Sequence, residues 1–322
     1  HYAKDAKKAS GRALGTLVEV ITFYVIQDWG FENNIRIERG LIEYLNPSIS
    51  HNVEYTLHPV RKSLQLELEY KLPITTKKIF AKLKSNKLAI KHGWQKYNTI
   101  GATLLSARGV PRNACVLARN KESNLIVLLK DANEKKAIVE VIEQSEKPFA
   151  MFECKRVGIE EGNKKGPQTI EKAKQGAYVA RTVSSLQKVR NSKGELFGAL
   201  PLDNGNFRFE PFEKLLKEVI ESNDKKLYRD FILTIGVVSN HGNWFTSNNP
   251  NKELIVLRDA YDWLLFLTDR GIANFIDELL LNPSKEYKPI KDAFLASYLN
   301  AKGKTMQYGK NQFTKVQMNR EA

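Results

Sequence analysis

The sequence predicts an α/β (α+β) fold, a mixed central sheet flanked by helices, from three observations. A helical apolar pattern stands near the start, short apolar runs separated by polar turns fill residues 113–157, and a second helix opens at Gly166-Pro167. The 322 residues, 42% of them hydrophobic, suffice for one large core or for a core domain and a smaller one.

From Gly11 to Asp28, Leu14, Leu17, Val18, Ile21, Tyr24 and Val25 recur at helical spacing, with Ser10 as the expected cap and Trp29-Gly30 as the stop. HNVEYTLHPV (51–60) and SLQLELEYKLP (63–73) alternate and are rich in β-formers, so both are expected strands. Thr75 or Thr76 is placed to cap one or two basic helices in KKIFAKLKSNKLAIKHGW. Four apolar runs, NACVLARN, NLIVLLK, AIVEVI and PFAMFECKRV, then suggest an antiparallel meander. The helix behind Pro167 is expected to reach about Arg190, with proline in the first turn where its missing N–H costs nothing. A loop with Gly194, Gly198, Pro201 and Gly205 follows, then a buried strand in FILTIGVV and helices in ELIVLRDAYDWLLFLTD and GIANFIDELLLN.

Charge narrows the function classes. The chain has 51 Lys+Arg against 36 Asp+Glu, a formal net charge of +15, so its field attracts polyanions, nucleic acid first among them. The excess is local: residues 51–112 hold 12 basic and 3 acidic side chains, and residues 155–190 hold 9 and 3. In the first stretch Trp94 and Gln95 interleave with Lys87, Lys91 and Lys96, types that phosphate and groove contacts use, and the second contributes Lys164 and Lys165.

Cys115 and Cys154 are too few for a disulfide framework and sit in apolar runs, which fits buried thiols in a reducing cytoplasm. No apolar run approaches the roughly 18 residues a membrane span needs. His51, His58, His92 and His241 lack metal-ligand spacing, which argues against zinc. A glycine-rich phosphate loop with its lysine is missing too, which argues against a nucleotide cofactor.

Chemistry concentrates in PFAMFECKRVG (148–158). Residues two apart on a strand share a face, so Glu153 and Lys155 project side by side while Phe152 and Cys154 point into the opposite layer. Burying such charges unpaired costs on the order of several kcal/mol per ion, and a divalent cation, a phosphate or an opposing acid would complete the set. Carboxylate oxygen suits Mg²⁺. The adjacent lysine can orient or deprotonate a water and stabilise charge that develops on phosphorus. The same spacing recurs at Glu69/Lys71, Glu134/Lys136 and Glu286/Lys288. The last two fall in polar or proline-flanked loops. Glu69/Lys71 is the rival, in a strand candidate that lacks an apolar hairpin partner upstream and a capped helix downstream.

An early helix, a meander and a strand bearing Glu153-x-Lys155 before a helix together resemble the PD-(D/E)XK nuclease superfamily, and within it the type II restriction endonucleases. The resemblance covers about residues 11–29 and 113–190. It implies a restriction-endonuclease-like core, Mg²⁺-dependent hydrolysis of phosphodiester bonds in double-stranded DNA at a specific sequence, a homodimer, and the cytoplasm of a bacterial or archaeal cell. Glu153 corresponds to the metal-binding acid and Lys155 to the motif lysine, with Glu19 as a further acid from the first helix and Gln168 or Gln175 as a glutamine from the later one. The family's upstream Pro-Asp pair is absent. Asp131, the only aspartate between residue 29 and the motif, is the expected second metal ligand, and Glu140 in AIVEVI competes with it.

The expected organisation is therefore residues 1–50 as the N-terminal part of a catalytic core, 51–112 as a basic DNA-recognition insertion, 113–240 as the rest of the core, and 241–322 as a helical region for recognition or dimerisation. Two other readings stand beside it. One is a sequence-specific DNA-binding protein in which Glu153 and Lys155 are only an ion pair; the other is a repair or junction nuclease of the same fold.

Overall fold

The computed structural model describes residues 6–40, 52–69, 71–107, 114–133, 135–156, 174–177, 180, 187–201, 207–222, 232–239, 252–288 and 291. The chain is a mixed α/β protein that divides into two compact units. The first comprises residues 1–31, 35–57 and 148–271, the second residues 32–34, 58–147 and 272–322.

α1 (Ala6–Ile26) opens the chain. It begins before Ser10, because Ala6 to Ala9 are good helix formers, so that serine lies inside the helix and does not cap it. Leu17, Val18, Phe23 and Ile26 are its buried stripe. Gly30, at φ 83°, turns the chain away in the left-handed conformation that glycine adopts without strain. β1 (Ile35–Gly40) and β2 (Asn52–Leu57) then pair antiparallel.

The second unit follows. Its elements are β3 (Val60–Glu69), β4 (Ile74–Thr75), α2 (Thr76–Lys84), α3 (Lys87–Lys91), β5 (Asn98–Thr99), β6 (Thr103–Leu105), β7 (Ala114–Arg119), β8 (Ser123–Ala132) and β9 (Lys136–Ser145). An antiparallel sheet forms in the order β3-β9-β8-β7-β5, and β4 pairs with β6. Thr75 caps α2 by accepting from the Lys78 N–H at 3.4 Å, and Asn86 caps α3 by accepting from the Leu88 N–H at 2.9 Å. Alternation along the strands sends Leu66, Leu68, Leu125, Val127, Val139 and Val141 to a core that Ile79, Phe80, Leu83, Ala89 and Trp94 close. Residues 58–147 thus form one body, and the expected boundary at 112 is not a boundary between the two units.

The first unit resumes with β10 (Ala150–Arg156), β11 (Gln187–Arg190), β12 (Leu196–Pro201), β13 (Phe207–Pro211), α4 (Phe212–Glu221), β14 (Leu233–Ser239), α5 (Lys252–Ala260) and β15 (Trp263–Leu267), and α6 (Asp269–Ile276) runs on from it into residues of the second unit. The first unit's five-stranded sheet runs β1-β2-β10-β14-β15, antiparallel as far as β10 and parallel beyond it. α1 covers one face, where Val18, Phe23 and Ile26 meet Tyr55, Phe152, Cys154 and Ile235. On the other face Ala177, Ala180, Leu254 and Leu257 pack with Met151, Val238 and Tyr261.

Three expectations are corrected. The four apolar runs are not one meander: β9 is already bonded on both edges, by β8 and β3, so the fourth run finds no free edge there and β10 pairs with β2 and β14 instead. The end of the predicted helix, Gln187–Arg190, is a strand, and the glycine-bearing segment after it supplies β12 and β13 of a three-stranded antiparallel sheet. The C-terminal region is not purely helical, since WLLFL is β15. Asp262 stops the preceding helix by accepting from the Thr234 N–H at 3.0 Å and its hydroxyl at 2.7 Å, which fastens the start of β15 to β14. Among the described residues no helix is long and apolar enough to cross a membrane.

Candidate active site

Glu153 and Lys155 lie on β10, the middle strand of the five-stranded sheet, on the face opposite Phe152 and Cys154. The Glu153 side chain is 0% exposed and that of Lys155 18%. Lys155 Nζ donates to Glu153 Oε1 at 2.5 Å. Burial pulls the lysine pKa down, but the charge and hydrogen bond of Glu153, with the charge of Glu54, outweigh it and hold the ammonium above its ordinary value. Both carboxylates thus favour the charged form of Lys155.

Glu54 is the acid that sequence reasoning missed. β2 pairs antiparallel with β10 through Ala150↔Leu57, Met151↔Thr56 and Phe152↔Tyr55. Glu54 is the next residue on β2 beyond the last paired position, and continued alternation would carry its carboxyl group to the Glu153 face. The charge of Glu54 felt at Lys155 agrees with that placement. Two anchors fix these strands under α1. The Tyr55 hydroxyl donates to the Glu19 carbonyl at 2.7 Å, and the Cys154 thiol donates to the Thr22 hydroxyl at 3.4 Å.

The opposite neighbour is β14, which sets Gly236 in register with Glu153. Its missing side chain leaves room for Tyr261 and Leu264: a Cβ at 236 would lie 2.8 Å from Leu264 Cδ2 and 3.2 Å from Tyr261 Cγ. The Tyr261 hydroxyl is pushed well up, by burial first and then by the charges of Glu153 and Cys154.

The other expected residues fall on other elements. Asp131 and Glu140 are not on the sheet that carries Glu153; they belong to β8 and β9 of the second unit. Asp131 is exposed beside a register shift in β8 and accepts from the Ala132 N–H at 2.8 Å. Glu140 pairs with Lys130 at 2.6 Å, as a solvent-side strand residue does. Glu19 is half-buried on α1, in the layer against the Phe152 face. Gln175 is half-buried beside Ala177, whose cluster includes Met151 on the Glu153 face. Gln168, Lys164 and Lys165 lie outside the described residues. The rivals Glu69, Lys71, Glu286 and Lys288 are all exposed.

Lys87, Lys91 and Lys96 are exposed, as nucleic-acid contacts require. Trp94 is not a surface reader: it is fully buried, and its Nε1 donates to Glu143 Oε2 at 2.8 Å. Gln95 is half-buried. An indole inside a lysine-rich segment served the core because the basic helices need an apolar underside.

Among the described residues no group of three or more His, Cys, Asp and Glu side chains is disposed to hold a metal. Mg²⁺ does not need one, since it keeps waters and takes one or two carboxylates together with substrate phosphate. Glu54 and Glu153 fit that requirement as two hard oxygen donors on adjacent strands. Comparison of the chain with protein-family models, curated proteins and solved structures found no match.

Proposed function

We propose that the chain is a Mg²⁺-dependent endonuclease acting on double-stranded DNA, of the PD-(D/E)XK kind and with a restriction-endonuclease-like core, cutting at a specific sequence as type II restriction enzymes do. The observation that carries this reading is the Lys155 ammonium bonded to the buried Glu153 carboxylate on the middle strand, with the charge of Glu54 from the neighbouring strand felt at the same lysine. A helix on each side of the sheet and an antiparallel-to-parallel change at β10 support it.

Glu54 and Glu153 would hold the metal, which supplies Lewis-acid polarisation of the scissile phosphate when bound. Lys155, kept protonated, donates hydrogen bonds and positive charge toward the oxygens on which charge develops during attack at phosphorus. Tyr261 packs on the same face of the sheet, in the cluster that holds Met151.

Cleavage of plasmid DNA by the purified chain, with and without Mg²⁺, tests the proposal. Binding without cleavage would favour the reading in which Glu153 and Lys155 are only an ion pair. Discrete fragments with mapped ends support a sequence-specific enzyme, and cutting only at junctions or lesions supports a repair nuclease.

A further inference from the structure

Residues 70–121 contain 12 Lys+Arg and no Asp or Glu. This run includes α2, α3 and the turn after them, which bury Ile79, Phe80, Leu83, Ala89 and Trp94 and turn Lys77, Lys82, Lys87, Lys91 and Lys96 outward. Three other cations of this unit are paired within it: Lys130 with Glu140, Lys136 with Glu67, and Arg61 with Glu122 at 3.8 Å. Lys78 is occupied by the carbonyls of Lys71 and Pro73, and Lys84 lies over the Phe80 ring. Among the described residues, Lys77, Lys82, Lys87, Lys91 and Lys96 take part in no ion pair.

Stability does not explain this pattern. A cation in the last turn of a helix favours the helix dipole, which accounts for Lys82, Lys84 and Lys91. Lys77 and Lys87 stand in first turns that hold no acid, where a cation opposes the dipole. Repulsion among unpaired lysines adds to the cost, and a polyanion removes both.

We infer that the outward face of α2 and α3 in the second unit is a phosphate-backbone docking surface for double-stranded DNA, one that supplies affinity without reading sequence. The choice of DNA rests on the nuclease reading; the polyanion requirement rests on the charges. A lysine ammonium is a point charge suited to phosphate, whereas base reading uses the forked donors of Arg, Asn and Gln, and the outward set contains none of these. The Glu143 carboxylate holds the surface from beneath. It accepts from Trp94 Nε1 at 2.8 Å and from the Tyr97 hydroxyl at 3.0 Å, which bracket Lys96. Leu88 and Ile90, exposed beside Lys87 and Lys91, are what an acidic protein would use, so the test includes one.

The test compares two variants in the Lys155→Ala background, in EDTA, so that its outcome is independent of cleavage. The probe is a labelled duplex of arbitrary sequence, about 30 base pairs long, titrated over a range of salt. Changing Lys77, Lys82, Lys87, Lys91 and Lys96 together to Gln is expected to reduce the slope of log K against log salt by about 3–4.5, at about 0.9 per lost phosphate contact, and to weaken binding roughly 100-fold or more at low salt. Changing only Lys77 and Lys87 to Glu is expected to weaken binding and to leave the denaturation midpoint equal or higher, a combination that a structural role for these lysines does not produce. An unchanged slope in the five-fold variant overturns the inference. Equal or tighter binding of duplex RNA, or of polyglutamate in place of DNA, also overturns it. A cleavage-negative parent protein that still shows the slope change would refute the nuclease reading and leave this surface standing.

Discussion

Lys155 sits 2.5 Å from the carboxylate of a fully buried glutamate, and at that distance each charge depends on the other. Lys155→Ala is expected to lower Mg²⁺-dependent cleavage by about 10²-fold or more while DNA affinity stays within about tenfold, because the ammonium acts on charge that appears in the transition state. Single-turnover cleavage and equilibrium binding of the same variant separate the two effects. Asp131→Asn and Glu140→Gln should cut like the parent chain. The first is an exposed residue at a strand irregularity and the second a partner of Lys130. Glu143 governs a different property. Burial pushes its pKa up, but hydrogen bonds from Trp94 and Tyr97, the charge of Lys62 and the Ser123 hydroxyl outweigh burial and leave it lowered. A carboxylate with a depressed folded-state pKa stabilises fully above its unfolded value of about 4.3, and the contribution is lost as the pH falls through the folded value. Glu143→Gln is therefore expected to cost about 1–3 kcal/mol at neutral pH, by leaving buried donors short of an acceptor, and to flatten the acid side of the stability profile. Denaturant midpoints between pH 3 and 7 measure both.

Strand pairing decides what the elements can do, and local pattern shows strands better than partners. PFAMFECKRV was legible because charges at alternate positions of an apolar run stand out, and β2, β3, β10 and β14 all fall where alternation or β-formers place them. Their neighbours were not legible. β9 and β10 are consecutive and similar in composition, yet β10 bonds to β2, from which all of residues 58–147 separate it. For that reason Glu54 stood unnoticed in a recognised strand while Asp131 and Glu140, near the motif in sequence, drew the assignment. β15 was hidden because WLLFL continues the apolar character of α5, and only the Asp262 clamp on Thr234 breaks it. The contact between β14 and Tyr261 gives an element-scale prediction. Gly236→Ala forces a Cβ to 2.8 Å from Leu264 and 3.2 Å from Tyr261, so it should destabilise the first unit by about 1–3 kcal/mol, as overpacking does. A denaturation midpoint equal to that of the parent would show that this slot has slack.

Across the whole chain, the largest segment of the second unit, residues 58–147, is inserted at a hairpin connection of the first. The Phe149 N–H donates to the Leu57 carbonyl at 2.8 Å and Ala150 pairs with Leu57, so the chain leaves and re-enters the first unit on adjacent strands. Replacing residues 58–147 with a short Asn-Gly turn, the kind that joins antiparallel strands, should leave the five-stranded sheet able to unfold in one cooperative transition. Loss of that transition would mean that the first unit needs the insertion to fold. The basic excess is uneven along the sequence, and the division expected at 112 falls inside one core that the basic helices and the apolar strands share. The most direct measurement is digestion of supercoiled plasmid by the purified chain and its Glu54→Gln variant, each in Mg²⁺ and in EDTA. Cutting by the parent chain in Mg²⁺ alone, with none by Glu54→Gln, is the expected result. Cutting by Glu54→Gln at the parent rate, or none by the parent in Mg²⁺, contradicts the assignment of Glu54, Glu153 and Lys155 as a nuclease site.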